Sequence, residues 1–192
     1  MLRGTKIYDE SGLYNYRFSD IAPYEIISND VLSVLDIKDI KTVENVLEKY
    51  YNSGFMSKTI TYLLDHEFSA FDFFLAFGKA YETNYTWLNY NLDDLFVRLY
   101  QYLQSINYDN LDYILFLMKI DYLSYFKLRP KIWWPRLEKK SRNNIIKNIK
   151  TIEGFTIDDL YRYAMIEQFQ NQYLIVIYKD NQTSIFIIEQ NN

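Results

Sequence analysis

Cysteine is absent from this chain and histidine occurs once, at His66. The missing cysteines exclude a disulfide framework, a thiolate nucleophile and an iron–sulfur cluster ligated by this chain. Together the two shortages exclude a zinc site built on Cys or on several His. What remains for catalysis is acid–base chemistry through His66 or through carboxylates. No apolar run approaches the roughly 20 residues that span a bilayer. Met1-Leu2-Arg3-Gly4-Thr5-Lys6 lacks the apolar core of a signal peptide. A soluble cytoplasmic protein with no membrane partner is expected. Positive charge is also in deficit: the net charge is -4, so nothing draws the whole chain to nucleic acid or to an anionic membrane.

Apolar material is plentiful. Hydrophobic residues make up 49% and aromatics 19%, including 20 Tyr and 13 Phe. That is enough for a core and excludes global disorder. At 192 residues the chain suits one domain with a small appendage. The aromatic excess has two open explanations, a biased base composition or selected aromatic surfaces.

Three segments follow from the pattern. Residues 1–30 read as an extended arm, with a short helix through Ile7 to Glu10 broken at Gly12. Tyr14-Asn15-Tyr16-Arg17-Phe18 and Tyr24-Glu25-Ile26-Ile27 around Pro23 have extended character. Residues 31–150 read as a helical domain. Ser28 or Asn29 is placed to cap its first helix, with Asp30 in the first turn. Val31, Leu35, Ile40, Val43, Val46, Leu47 and Tyr50 fall near helical spacing. Gly54 should end this helix in the left-handed conformation. Further helices are expected from Phe55 to His66, from Ala70 behind a Ser69 cap, over Leu92–Leu103, over Leu111–Phe126, and from Glu138 to Lys150. Four Phe between Phe71 and Phe77 cover more than one face, and Gly78 permits a close neighbour. Residues 151–192 read as a β-hairpin appendage. Tyr173–Tyr178 and Thr183–Ile188 flank the turn Lys179-Asp180-Asn181-Gln182, and Met165–Phe169 offers a third strand. The fold class expected is mainly α: five to six bundled helices, a C-terminal β-hairpin and an extended N-terminal arm.

Candidate sites are few. His66 has no visible catalytic partner, and a helix-end role explains it. Asp93-Asp94 and Asp158-Asp159 are paired carboxylates, yet each stands where a helix starts and capping accounts for it. Tyr51, Asn52, Ser53 and Gly54 form the most distinctive motif. The backbone amides of Asn52, Ser53 and Gly54 can face an anion, but a helix end turning into the next helix needs the same residues. Residues 127–150 hold nine basic side chains against Glu138 alone, a local +8, while the rest of the chain carries -12. Trp133 and Trp134 lie beside this charge with Lys139, Lys140 and Arg142. The combination fits stacking and phosphate contact with RNA or single-stranded DNA, docking on an acidic protein face, or a plain solvated helix with packed Trp.

Several landmarks in order resemble one family. They are Leu2-Arg3-Gly4-Thr5-Lys6-Ile7, Pro23-Tyr24-Glu25 with Ser28, Tyr50-Tyr51-Asn52-Ser53-Gly54, Phe71-Asp72-Phe73-Phe74 and Asp121-Tyr122-Leu123 before a basic, proline-containing linker. This run is similar to the C-terminal region, a domain of unknown function, of radical S-adenosylmethionine proteins that carry a cobalamin-binding domain. The resemblance implies that residues 1–30 are the tail of a catalytic barrel and that this chain is either the C-terminal part of a longer enzyme, the favoured alternative, or a truncated relative. It implies partners, namely that barrel and the cobalamin domain. It also implies cofactors bound outside this chain: a 4Fe–4S cluster on a CxxxCxxC motif, S-adenosylmethionine and cobalamin. The function expected is a non-catalytic accessory domain that caps the barrel or positions a substrate or partner. The alternative is an RNA-binding or protein-interaction module using residues 127–150.

Overall fold

Side-chain caps at Ser33, Ser69, Asn91 and Thr156 open four helices of the computed structural model, which describes residues 5–67, 69–149 and 152–190. Leu2, Arg3 and Gly4 of the family-like segment, and Lys150 of the basic segment, lie outside them. The chain forms two compact units. One comprises Met1–Lys49 and Ser69–Trp87, the other Tyr50–Phe68 and Leu88–Asn192.

The first unit begins with a short helix α1 (Lys6–Asp9). Strands β1 (Arg17–Phe18) and β2 (Ile26–Ser28) then pair antiparallel, so the expected extended arm folds back on itself. Helix α2 runs Val34–Val46, later than its sequence suggests. Ser33 is its cap: Ser33 Oγ accepts the Asp36 N–H at 3.2 Å, and Asp36 Oδ2 accepts the Ser33 N–H at 2.8 Å. Asn29 Oδ1 instead accepts the N–H groups of Val31 and Leu32, holding them in an Asx turn before the helix. Asp30 accepts from Asn15 Nδ2 at 2.7 Å and takes no part in the helix. Consequently Val31, Leu35 and Ile40, expected on the buried stripe, are exposed, and the buried positions are Thr42, Val43 and Val46.

Helix α4 (Ala70–Asn84) packs on α2; the intervening helix α3 (Ser57–His66) belongs to the second unit. Ser69 caps α4 as expected, accepting the Asp72 N–H at 3.2 Å. Phe73, Phe74, Phe77 and Tyr81 are buried, whereas Phe71 points to solvent. Glu82, exposed, ties α4 to α2 and to Trp87. Its carboxylate accepts from Thr42 Oγ1 at 3.1 Å and from Trp87 Nε1 at 2.9 Å, and the Trp87 ring stacks on Tyr81 at 4.0 Å.

The second unit is built around α6 (Leu111–Tyr125), whose residues Ile114, Phe116, Leu117, Met118, Ile120, Tyr122 and Leu123 are all buried. Helices α3 and α5 (Leu92–Ser105) pack on it. Asn91 and Asp94 form the capping box of α5. Helix α7 (Lys139–Asn148) and helix α8 (Ile157–Tyr163) follow; Thr156 and Asp159 form a capping box for α8.

Strands β3 (Ala164–Phe169), β4 (Gln172–Lys179) and β5 (Gln182–Glu189) make an antiparallel meander in the order β3-β4-β5. The expected hairpin is therefore two strands of a three-stranded sheet, which forms a middle layer. Ala164, Ile166, Ile175 and Ile177 face Ile145, Ile146, Ile149 and Leu160 of the α7–α8 side. By strand alternation Met165, Leu174, Val176 and Tyr178 face the opposite way, and α6 packs on that side of β3 and β4. Tyr178 donates its hydroxyl to the Leu123 carbonyl at 2.7 Å, and Lys119 pairs with Glu167 at 2.6 Å. Among the described residues no helix is long and apolar enough to cross a membrane.

Candidate functional site

Helix α2 continues into a π-helical turn over Leu47–Tyr51, and the second unit begins within it at Tyr50. Tyr50 is buried and donates to the Leu95 carbonyl at 3.2 Å; Tyr51 is 55% exposed. Gly54 adopts φ 72°, the left-handed conformation expected of it, and its N–H donates to the Tyr51 carbonyl at 3.2 Å. The corner leads to α3 through Met56, whose side chain makes no capping bond.

The cap comes from 62 and 63 residues away. Asp121, on α6, accepts the Lys58 N–H at 3.1 Å, the Thr59 N–H at 2.8 Å and the Thr59 hydroxyl at 2.7 Å. These donors sit at the start of α3, where backbone N–H groups have no partner within the helix. Burial pushes the Asp121 carboxyl up, and the three donors offset part of that rise. The Asp121-Tyr122-Leu123 run thus has a structural use. Tyr122 places its hydroxyl 2.5 Å from Asp93 Oδ1 and 2.6 Å from the Lys131 carbonyl, where its single proton can serve one acceptor at a time. Burial and Asp93 raise its phenol well above the usual range.

The basic segment divides by role. Lys139 and Lys140 are exposed, as are Lys127, Arg129, Lys131, Arg136 and Lys147, and none makes an ion pair among the described residues. Arg142 turns inward, its Nη2 donating to the carbonyls of Leu160, Tyr161 and Ala164 at 2.9, 3.2 and 3.2 Å. It ties the end of α8 to the start of β3 and is not free for a phosphate. Trp134 is 5% exposed and meets Tyr122 edge-on at 5.4 Å; Trp133 meets Tyr100 at 5.8 Å. Both indoles pack against the helices, and neither stands out as a platform for a base. We expect Arg142→Ala to lower stability by about 2 kcal/mol, because a charged donor leaves three carbonyls. Lys139→Ala with Lys140→Ala should stay within about 0.5 kcal/mol. Urea midpoints separate the two outcomes.

The paired carboxylates behave as caps and ion-pair partners. Asp158 pairs with Arg162 at 3.4 Å, and Asp159 with Lys179 at 2.9 Å. Lys179 and the Thr156 donors hold the Asp159 carboxyl down to about 2. No group of three or more Asp, Glu or His side chains among the described residues is arranged to hold a metal ion.

One recess was not legible in the sequence. A cleft of about 620 Å³ adjoins another of about 660 Å³, and both are lined by Asn110, Tyr113, Phe169 and Gln170. Tyr113 meets Tyr62 at 5.1 Å and Phe169 at 5.6 Å. Asn110 holds φ 56°, which its short amide side chain tolerates. His66 stacks on Tyr62 at 4.0 Å with Nδ1 2.7 Å from the Tyr62 carbonyl. Aromatic faces and carboxamides suit holding a ligand. They come from α3, α6 and the β3–β4 turn, and no spacing in the chain connects them.

The structure thus defines an α-helical protein with a three-stranded C-terminal antiparallel sheet and a two-stranded N-terminal one, its site-like features set by capping and packing. The chain belongs to the family described as protein of unknown function (DUF4080), whose model matches residues 12–188. No curated protein and no solved structure matches it.

Proposed function

We propose that this chain is the non-catalytic accessory domain of a cobalamin-dependent radical S-adenosylmethionine enzyme, docking on the catalytic part through its N-terminal unit. One observation carries the reading. Leu13, Ile21, Val31 and Leu35 are 73%, 77%, 86% and 72% exposed. Four exposed large aliphatics within residues 13–35 are side chains that a docking surface there would cover. Three of them lie in or beside the segment that the resemblance assigns to the tail of a barrel. The run of family-like landmarks supports the same parentage.

The chain's own residues do not fit the cluster: without cysteine it has no thiolate to offer. On this reading the cluster and S-adenosylmethionine belong to the barrel and cobalamin to its own domain, and no chemical step is assigned to a residue here.

The test is binding to the cysteine-bearing catalytic polypeptide. Changing Leu13, Ile21, Val31 and Leu35 together to Ser should weaken association at least about tenfold, since each buried aliphatic contributes on the order of 1.5 kcal/mol. Circular dichroism and melting should not change. Unaltered affinity would sink the docking reading.

A second reading rests on the exposed, unpaired cations of residues 127–147, which suit RNA or an acidic protein face. It requires binding that falls steeply with salt and is lost on Lys139→Glu with Lys140→Glu. Salt-insensitive binding excludes it.

A further inference from the structure

We propose that two copies of this chain pair through the outer edge of β5, joining their three-stranded sheets into one antiparallel sheet of six strands across a two-fold axis. The inference is independent of the docking surface on the N-terminal unit.

Strand β5 is an edge strand of eight residues whose one strand neighbour among the described residues is β4, with the Thr183 hydroxyl donating to the Phe126 carbonyl. Natural edges are protected by Lys, Pro or bulges. Here the segment Gln182-Thr183-Ser184-Ile185-Phe186-Ile187-Ile188-Glu189 has none of them, and its register with β4 is unbroken over all eight pairs. The direction of its backbone groups follows from the turn. Asp180 and Asn181, at φ 54° and 58°, make the two-residue type I′ connection, closed by the pair Lys179–Gln182. The closing pair is hydrogen-bonded, so even-numbered residues bond inward to β4. The Gln190 N–H donating to the Asn171 carbonyl at 2.7 Å continues that phase. Thr183, Ile185, Ile187 and Glu189 therefore present their N–H and C=O groups outward.

A two-fold axis normal to the sheet pairs residues whose numbers share parity. With Phe186 on the axis, Ile185 lies opposite the partner's Ile187 and Thr183 opposite the partner's Glu189. The four outward-facing residues of each copy then meet one another in hydrogen-bonded positions, giving about eight backbone bonds. No like charges face each other, because Glu189, the one ionised residue of β5, meets Thr183. The side chains agree with the backbone. Ile185 and Ile187 are 38% and 49% exposed, on the sheet face where α6 packs on β3 and β4. The register gathers these four isoleucines into one patch. The contact is isologous and closes on itself, so it yields a dimer and no filament.

Sedimentation of the full chain from low micromolar to submillimolar concentration should show the mass rising from 23.3 kDa towards twice that value. Amide exchange should show protection at Thr183, Ile185, Ile187 and Glu189 that grows with concentration, while Ser184, Phe186 and Ile188 stay protected throughout. Ile187→Pro removes one outward N–H without touching a bond to β4. It should weaken the dimer at least about tenfold with circular dichroism unchanged. If Ile187→Pro unfolds the strand, Ile185→Lys serves the same purpose from the side chain. A chain that stays monomeric overturns the proposal. So does a dimer that leaves those four amides unprotected, or one indifferent to both substitutions.

Discussion

Asp121→Ala is expected to lower the unfolding free energy by about 3 kcal/mol, read from the shift of a urea transition. The carboxylate accepts from three groups at the start of α3, and Met56 supplies no local cap. Without it, two helix N–H groups and one hydroxyl lose their acceptor in a buried setting. Asp121→Asn keeps one acceptor oxygen and should lose less. Acidity gives a second, independent reading. Burial lifts the Asp121 carboxyl above its ordinary 3.8, with the donors from Thr59 and Lys58 pulling against it. The folded state therefore holds this proton more tightly than the unfolded one. Stability associated with Asp121 falls as pH rises from 3.8 through the raised value. The Asn variant lacks that slope, so its deficit against the wild type should shrink across the window. A deficit that grows there would show that the hydrogen bonds outweigh burial.

At Gly78 the sign of the effect is the informative quantity. In an exposed helix interior, Ala is preferred to Gly by about 1 kcal/mol. A Cβ at this position would lie 2.5 Å from Thr42 Cγ2, 3.0 Å from Val46 Cγ2 and 3.3 Å from the Thr42 carbonyl oxygen. Thr42 is held by its bond to Glu82, and Val46 is buried, so neither moves aside freely. Gly78→Ala should therefore destabilise by about 1 kcal/mol despite the better propensity, and Gly78→Val by about 3 kcal/mol. Thermal melting decides it. An Ala variant more stable than the wild type would show that α2 and α4 can separate at no cost.

Legibility in the sequence followed the range of the interaction. Ser69 before Ala70 and Gly54 after the Tyr-Tyr-Asn-Ser run could be read because the bonds they make are local. The β-branched and aromatic run Tyr173–Tyr178 marked a strand, and Met165–Phe169 marked its neighbour. The start of α2 lies later than the first capping residues of the sequence, although its own signal is present. Ser33 and Asp36 have capping-box spacing, but Ser28-Asn29-Asp30 offers an earlier set of capping residues. Only the Asn29 side chain, turning onto Val31 and Leu32, shows why the helix waits. Arg142 looked like its basic neighbours. Its inward turn depends on where α8 ends, which spacing does not carry. Tyr113 and Phe169 of the cleft are 56 residues apart and the Asp121 cap reaches back 62 and 63 residues, and such pairings leave no local pattern.

Synthesis proceeds from the N-terminus, and this gives the middle layer a consequence in time. Helix α6, hydrophobic on nearly every side, is made well before the strands that cover it. The Tyr178 hydroxyl that binds the Leu123 carbonyl is added 55 residues later. At roughly 5–20 residues per second, that interval is about 3–11 s. During it the nascent chain carries a partly uncovered apolar helix, sheltered by α3, α5 and, once it is made, Trp134. A ribosome that stalls within residues 127–163 leaves that surface waiting for as long as the stall lasts.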